Sequence, residues 1–208
     1  MPEQVKKIKY RKTILTIIML SLAAGLSAQM KGGYQFGINL TTISFTPADI
    51  ISKTEVPMGI HFGIYYDIAL DKHVSIQSGF LFSSKGADYE IDTVDYSLTP
   101  TYLEIPVNLA FHLGSEKTII YLFGGPYAAC AIGGYKIVTG DELRYLNFGA
   151  SAEKDMKRFD FGINLGIGVS VKSYVISAQY GIGLTNTSST NDYDMKNNVV
   201  GISLSSLR

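Results

Sequence analysis

Five side chains that could carry chemistry are spread through the middle of the chain. They are His61, Lys85, Glu104, Arg158 and Asp160. A histidine oriented by a carboxylate can act as a general base, and a neighbouring cation can bind an anionic head group. The same residues could instead form a network of salt bridges that fills an interior, because an unpaired buried charge is costly. The fold decides between these alternatives.

Other kinds of site are disfavoured by the residue types present. The chain has three histidines and one cysteine, Cys130, with no His, Cys and carboxylate cluster at metal-ligand spacing. The Gly166–Gly168 and Gly181–Gly183 segments lack the following helix that a phosphate-binding loop needs. We therefore expect no metal, no cofactor and no catalytic residue. We expect Cys130 to pack as a small, buried apolar side chain.

The composition restricts the class of protein. The 208 residues are 46% hydrophobic, 12% aromatic and only 17% charged, with 21 Gly and 14 Tyr. Soluble domains carry about 25% charged residues, so this composition excludes a disordered chain and disfavours a helical bundle. Basic and acidic residues balance at 18 each, so the overall charge gives no indication of nucleic-acid binding.

The N-terminal segment has the pattern of a secretory signal peptide. Several basic residues from Lys6 to Lys12 precede an uncharged apolar stretch from Thr13 to about Leu26, followed by small residues. The apolar run is short for a transmembrane helix, which needs ~20 residues. We predict a signal peptide over residues 1–28 and a mature domain over residues 29–208.

The mature chain shows repeated alternation of apolar and polar residues, which is the pattern of β-strands. The clearest case runs from Phe159 to Val171, where every second residue is apolar and the others are mainly Gly, Asn and Ser. One segment, 118–131, is apolar on both faces, so the sequence leaves its orientation open. The eight predicted strands are 34–40, 58–70, 74–85, 102–113, 118–131, 158–171, 174–184 and 198–207.

The connections alternate strictly between long and short. The short ones are 71–73, 114–117 and 172–173, and the long ones are about 41–57, 86–101, 132–157 and 185–197. This alternation is typical of an up-and-down barrel in an outer membrane, with long loops outside the cell and short turns in the periplasm. The acidic and hydroxyl residues of the loops 86–101 and 185–197 show no metal-loop spacing, so we expect a solvated surface there.

The face that carries the apolar residues decides between two barrel classes. A soluble barrel of the lipocalin kind has an apolar interior and a charged exterior, whereas a transmembrane barrel has the reverse. Here one face of each strand is uncharged over about 10 residues, the length that crosses a bilayer. We predict an all-β, eight-stranded antiparallel transmembrane barrel. Pro106 and Pro126 lie inside strands, where we expect bulges.

Strand direction then places the five side chains at one level. His61, Lys85, Glu104, Arg158 and Asp160 share the inward face near the outer mouth, and Asp67 and His112 lie near the periplasmic end. We predict a structural charge cluster in the lumen. In the alternative, a small enzyme acting on lipid or peptide, His61 is the base, Glu104 or Asp160 orients it, and Lys85 or Arg158 binds the head group.

Four segments resemble recurrent parts of the PorT-like outer-membrane β-barrel family of Gram-negative bacteria. They are Tyr102-Leu103-Glu104-Ile105-Pro106, Phe123-Gly124-Gly125-Pro126-Tyr127, the run from Phe159 to Gly168, and the run from Tyr180 to Asn186. The family's proline positions match Pro106 and Pro126. Many members end on an aromatic residue that helps the insertion machinery, whereas this chain ends Leu207-Arg208.

The resemblance implies an outer-membrane location and a link between the namesake member and type IX secretion. We expect a non-enzymatic barrel that acts as an adaptor, receptor or structural component through its extracellular loops. Its expected partners are outer-membrane lipid, the barrel-insertion machinery, and other envelope or secretion proteins, with no nucleic acid. An open porin is disfavoured, because eight strands leave no wide channel.

Overall fold

The structure is a computed structural model that describes residues 30–48, 51, 53–91, 93–115, 118–139, 142–151, 153–190 and 192–206. The predicted signal peptide, residues 1–28, and the terminal Leu207-Arg208 lie outside the described residues. No α-helix in the described part of the chain is long and apolar enough to cross a membrane.

The described chain is built of β-strands joined by turns and loops. In chain order the strands are β1 (Met30–Thr46), β2 (Lys53–Glu55), β3 (Met58–Asp71), β4 (Val74–Ser84), β5 (Ala87–Ile91), β6 (Val94–Ser115), β7 (Thr118–Val138), β8 (Arg144–Tyr145), β9 (Phe159–Val171), β10 (Tyr174–Gly183) and β11 (Asp194–Ser206). Three of these strands, β2, β5 and β8, are short.

Eight long strands close into an antiparallel ring. The order is β6-β4-β3-β1-β11-β10-β9-β7, and pairing of β6 with β7 closes it. Each strand therefore pairs with the long strands next to it in the chain, and β1 pairs with β11 from Gln35↔Ser205 to Thr46↔Asp194. The predicted eight-stranded up-and-down barrel is confirmed, although most strands are longer than the sequence pattern indicated.

Tight turns join the strands at one end of the barrel. Val171 pairs directly with Tyr174, so Lys172 and Ser173 form a two-residue turn. Lys172 has φ of 58°, the left-handed conformation that such turns require at a central position. Gly114, with φ of 113°, lies near the end of β6, opposite Ile119 of β7. β1 begins and β11 ends at this same end of the barrel, which would be the periplasmic end in an outer membrane.

The barrel is apolar outside and polar inside. Phe36, Leu165 and Ile176 point outward and are 58%, 55% and 61% exposed. The inward positions between them carry amides, hydroxyls and charges, such as Asn39 and Asn164, which are each 2% exposed. A soluble barrel would bury its aliphatic side chains, so this arrangement matches a wall that faces lipid.

The two prolines do not sit at bulges, contrary to expectation. The register between β6 and β7 is the same on both sides of Pro106↔Tyr127, and β7 pairs with β9 continuously through Pro126↔Ile163. On one side of each proline the strand pairing is interrupted: between β4 and β6 at Pro106, and between β6 and β7 at Pro126. At the first of these gaps the hydroxyl of Ser78 donates to the Pro106 carbonyl at 2.8 Å. The pairing on the other side keeps the register despite the missing N–H group.

The register shift between β6 and β7 lies further out. It separates Thr101↔Gly133 from Tyr102↔Ala131, so Ile132 is the extra residue. Below this bulge Tyr121 and Tyr127 of β7 point inward and are 6% and 3% exposed, which resolves the orientation that the sequence left open. Cys130 lies on the outward face and is half-buried, so the expected interior packing is wrong.

The long loops fold into a cap above the outer mouth. We define the cap as β2, β5, β8, the outer parts of β6 and β7, and the loop residues packed with them. Its side chains pack with those at the outer ends of β1 and β11 in a buried apolar core at the outer mouth. They are Ile43, Phe45, Ala87, Tyr89, Leu98, Leu146, Met156 and Met195. The loops expected to be solvated surface, 86–101 and 185–197, thus contribute buried apolar residues such as Tyr89 and Met195, while their acidic residues Asp95 and Asp192 are exposed.

We predict that a charge on the outward face destabilises the barrel. Leu165 lies at the middle of β9, and Leu165→Arg places a cation in the hydrocarbon, so the free energy of unfolding should fall by about 2–4 kcal/mol. Urea unfolding in phosphatidylcholine vesicles measures this change. Thr46→Arg, at the exposed outer end of β1, is the control and should lower stability by at most about 1 kcal/mol. Equal losses in the two variants would contradict a lipid-facing wall.

Candidate functional site

Lys85 is the centre of the buried charges in the lumen. It follows β4 directly, and its Nζ lies 2.7 Å from Glu104 Oε2 and 3.3 Å from Asp160 Oδ2. Its side chain is only 3% exposed. The ammonium group also lies 4.3 Å from the centroid of the Tyr127 ring. Carboxylates and an aromatic face thus replace water around the cation.

Asp160 anchors the other side of this cluster and is fully buried. Its Oδ2 accepts hydrogen bonds from the Tyr127 hydroxyl at 3.2 Å and the Asn197 amide at 3.0 Å, in addition to Lys85. Its Oδ1 has no partner among the described residues. Lys85, Glu104 and Asp160, which we call the lumen triad, place one cation against two carboxyl groups.

His61 is held apart from the lumen triad by neutral partners. Its Nδ1 lies 2.8 Å from Asn39 Oδ1, and its Nε2 lies 2.8 Å from Ser203 Oγ. The Asn39 amide nitrogen donates to Ser83 and to the Ser84 carbonyl, which orients Oδ1 toward the ring. Because Oδ1 can only accept, Nδ1 carries the proton, and Nε2 pairs with the Ser203 hydroxyl, which can donate or accept. Both partners of the ring are therefore neutral groups.

A glycine makes room for this histidine. A Cβ built at Gly37 would lie 2.5 Å from the His61 ring and 2.2 Å from the Ile202 carbonyl oxygen. Gly37 is directly opposite His61 across β1 and β3. The ring therefore lies flat against the backbone of β1, where it is 3% exposed, and no larger residue fits opposite it.

Arg158 does not join the cluster. Its side chain is exposed, its Nη1 donates to the Ala131 carbonyl at 3.2 Å, and its guanidinium lies 5.8 Å from the Phe148 ring centroid. The reason is that β9 begins at Phe159, so the alternation of the strand does not extend to Arg158. The structure thus brings together Lys85, Glu104 and Asp160, places His61 in the adjoining network, and excludes Arg158.

The free space around these groups is very small. One cavity of about 10 Å³ is bordered by His61, Lys85 and Glu104, and a second of about 20 Å³ lies below it. A cavity of this size holds about one water molecule. A substrate of lipid or peptide size has no room beside His61.

The periplasmic half of the lumen has its own polar contacts. Asp67 accepts a hydrogen bond from the Gln77 amide at 2.9 Å, and His112 Nε2 lies 2.8 Å from Ser75 Oγ. Ser75 is fully buried, so the serine–histidine pair has no access to a substrate. Among the described residues no three His, Cys, Asp or Glu side chains form a group that could hold a metal.

Sequence reasoning missed the neutral partners of these charges. They are Asn39, Ser75, Tyr127, Asn197 and Ser203. Asn39, Ser75 and Ser203 lie on strand faces that alternate with apolar residues, so their inward direction could be read from the sequence. Asn197 lies between Lys196 and Asn198, in a segment that the sequence predicted as a loop. Tyr127 lies in the segment that is apolar on both faces, which concealed it. Which partner each charge selects depends on register, which sequence alternation does not specify.

The outward face of the cap sheet carries a different surface. A concave region of about 510 Å³ on β2, β5, β6 and the outer end of β7 is bordered by the acidic residues Glu55, Asp88, Glu90 and Asp95, by Lys53 and by Ile137. Glu55 pairs with Lys53 at 2.5 Å. The hydrogen bond and charge of Lys53 lower the pKa of Glu55, so this exposed carboxyl stays ionised and the region remains acidic.

The inner face of the cap sheet is uncharged where it packs. The rings of Phe45 and Tyr89 lie 4.9 Å apart. Burial, with Tyr193 and Tyr96 nearby, raises the pKa of the Tyr89 phenol well above its ordinary value. The core of the cap therefore stays neutral over the physiological pH range, and the cap covers the lumen triad from the outside.

Comparison with protein families identifies the domain to which this chain is similar. The model of the outer membrane protein β-barrel domain matches residues 27–189 of this chain. Comparison of the sequence with curated proteins found no match.

Several solved structures are similar to this chain. The attachment invasion locus protein Ail of Yersinia pestis is 12% identical with a TM-score of 0.42, covering 85% of this chain and 99% of Ail. Neisserial surface protein A is 10% identical with a TM-score of 0.45, covering 84% of this chain and 96% of that protein. Outer membrane protein OprG from Pseudomonas aeruginosa is 10% identical with a TM-score of 0.48, covering 86% and 92% respectively.

We predict unequal losses of stability within the lumen triad. Lys85→Met leaves two buried carboxyl groups without their cation, so the free energy of unfolding should fall by about 3–5 kcal/mol. Glu104→Gln should lower it by less, because Lys85 keeps Asp160 as a partner at 3.3 Å. Urea unfolding in vesicles measures both. A larger loss for Glu104→Gln than for Lys85→Met would contradict this description.

Proposed function

Since this chain belongs to the outer membrane protein β-barrel domain family, we propose that it is a non-enzymatic component of the outer membrane that acts through its extracellular cap. Its role is that of an adaptor, a receptor or a structural protein. Residues 1–28 would direct its export and residues 29–208 form the mature domain. Outer-membrane lipid and the barrel-insertion machinery are then its first partners.

The packed lumen is the observation that carries this proposal. Lys85, Glu104 and Asp160 are each at most 4% exposed, and the cavities beside them hold about one water each. Neither transport nor catalysis has a path through such an interior. The cap is what the barrel presents to the exterior, and it offers both a folded core and an acidic concave face.

A narrower proposal is that the chain is of the PorT-like type and takes part in protein secretion. The four resembling segments described above support it, since they occur in order along the barrel strands. Under this proposal the cap or the periplasmic turns contact other envelope or secretion proteins. The resemblance in the strands supports the type more directly than the role.

The alternative is a small barrel enzyme with His61 as base. Two observations weigh against it. His61 bonds to Asn39 and Ser203 rather than to Glu104 or Asp160. Arg158, a candidate for binding a head group, lies outside the lumen network. A base without an orienting carboxylate or an open approach lacks the geometry that proton transfer needs.

We predict that the purified protein forms no wide channel. An eight-stranded barrel has an interior that its own side chains fill, and the cap core covers the outer end. The protein reconstituted in planar phospholipid bilayers should show no steady, large conductance at neutral pH. A stable open level in most insertions would overturn the proposal of a closed barrel.

A deletion strain tests the role itself. We expect its profile of secreted and surface proteins to differ from that of the parent, and wild-type chain to restore it. Met156→Asp places a charge in the cap core, where Met156 is fully buried, and should fail to restore the profile although the barrel inserts. Heat-dependent migration of the unboiled protein in gels checks insertion.

His61→Gln is the matched control for this experiment. It changes the lumen while leaving the cap untouched, so it should restore the profile fully. Loss of the profile with His61→Gln, together with restoration by Met156→Asp, would favour the enzyme alternative instead. An unchanged profile in the deletion strain would count against any role in secretion.

A further inference from the structure

The apolar belt of the barrel is much taller on one side than on the other. On β1 the outward residues are uncharged and apolar or glycine from Met30 to Leu40, and Thr42, Ser44 and Thr46 follow. Eleven residues at ~3.3 Å each, on a strand tilted by ~40°, span about 25 Å along the axis. This matches the ~25 Å apolar band of outer-membrane barrels.

On β7 the outward residues are apolar or glycine from Ile120 to Ile137. The same arithmetic gives about 43 Å along the axis. Since β1 and β7 stand diametrically opposite in the ring, the excess is confined to one flank. It cannot all be matched to a ~25 Å band by a barrel that stands upright.

The excess surface continues from the lipid-facing wall onto the cap. We call it the flank strip, and it consists of exposed apolar and aromatic side chains on β7 and beside or in β8. Its members are Ile132, Tyr135, Ile137, Leu143 and Tyr145, which are 51%, 39%, 40%, 55% and 83% exposed.

Cross-strand pairing organises the flank strip. In the register of the two strands, Tyr135 of β7 is directly opposite Tyr145 of β8, and the next residue, Lys136, is opposite Arg144. Lys136 is half-buried and forms an ion pair with Asp155 of the cap. The two basic residues occupy the positions that alternate with the tyrosines, so the strip itself carries no charge. The acidic concave face of the cap lies mainly on β2, β5 and β6, and Ile137 of the flank strip forms part of its border.

We propose that the flank strip is a lipid-binding surface, and that the barrel tilts toward its β7–β8 flank so that the strip enters the outer leaflet. Three observations select lipid as the occupant: the strip is continuous with the lipid-facing wall, it is uncharged, and it presents two tyrosines. Tyrosine is enriched where hydrocarbon meets head groups. Tilting is also the ordinary response of a spanning element whose apolar length exceeds the bilayer.

The absence of tryptophan from the sequence allows a direct test. Tyr145→Trp creates a single fluorophore at an exposed position that already holds an aromatic ring. The variant is reconstituted in two sets of phosphatidylcholine vesicles, with bromine close to the head group or near the middle of the acyl chains, and quenching is compared with that in unbrominated vesicles. We expect the shallow bromine to quench Tyr145→Trp about as strongly as the deep bromine quenches Leu165→Trp, which reports the middle of the wall.

Thr46→Trp is the matched control, because it lies on β1, beyond the apolar belt and opposite the flank strip. It should be quenched little or not at all. Quenching of Tyr145→Trp no greater than that of Thr46→Trp would overturn the proposal and leave the strip to a protein partner or to solvent. Failure of Leu165→Trp to be quenched would overturn the membrane-spanning barrel as well, so the two failures are distinguishable.

Discussion

A strand that crosses hydrocarbon must find hydrogen-bond partners for its backbone on both sides, because the lipid offers none. In this protein the first and last strands, β1 and β11, pair with each other, so every long strand of the ring has a partner on both sides. Closure with only eight strands fixes a narrow interior. Since the outward positions must be apolar, the inward positions hold the polar residues, and the narrow ring must pack them at close range.

The lumen triad follows from this confinement. Lys85 could not remain charged in such an interior without carboxylates, and Glu104 and Asp160 approach it from two different strands. The amides and hydroxyls around them serve the same need, since a buried polar group without a partner is costly. His61 meets the same need with neutral partners, because the Asn39 carbonyl oxygen accepts from one ring nitrogen and the Ser203 hydroxyl bonds to the other. Such a network pairs the buried charges with one another and leaves cavities of only about 10 and 20 Å³ beside them.

The barrel was predictable from sequence because the membrane imposes a simple alternation. Runs such as Phe159–Val171 show it over their whole length, and the long and short connections order the strands. Three features were not predicted from the sequence, each for a different physical reason. Arg158 lies one residue before its strand, the inward positions of β7 hold tyrosine and alanine that resemble outward residues, and the cap strands are too short to show a period. Register and side-chain partners depend on which strands meet.

Different physical constraints act on the cap and on the wall of the barrel, and the proposed function therefore lies in the cap. Each inward position of the wall is used to fill the lumen, and each outward position within the apolar belt is used to face lipid. Outside the belt neither demand applies, so the acidic face on β2, β5 and β6 and the flank strip on β7 and β8 are free to differ in character. The two surfaces meet at Ile137, which belongs to the flank strip and also borders the acidic face. Lipid that covered the flank strip would therefore reach one edge of the acidic face.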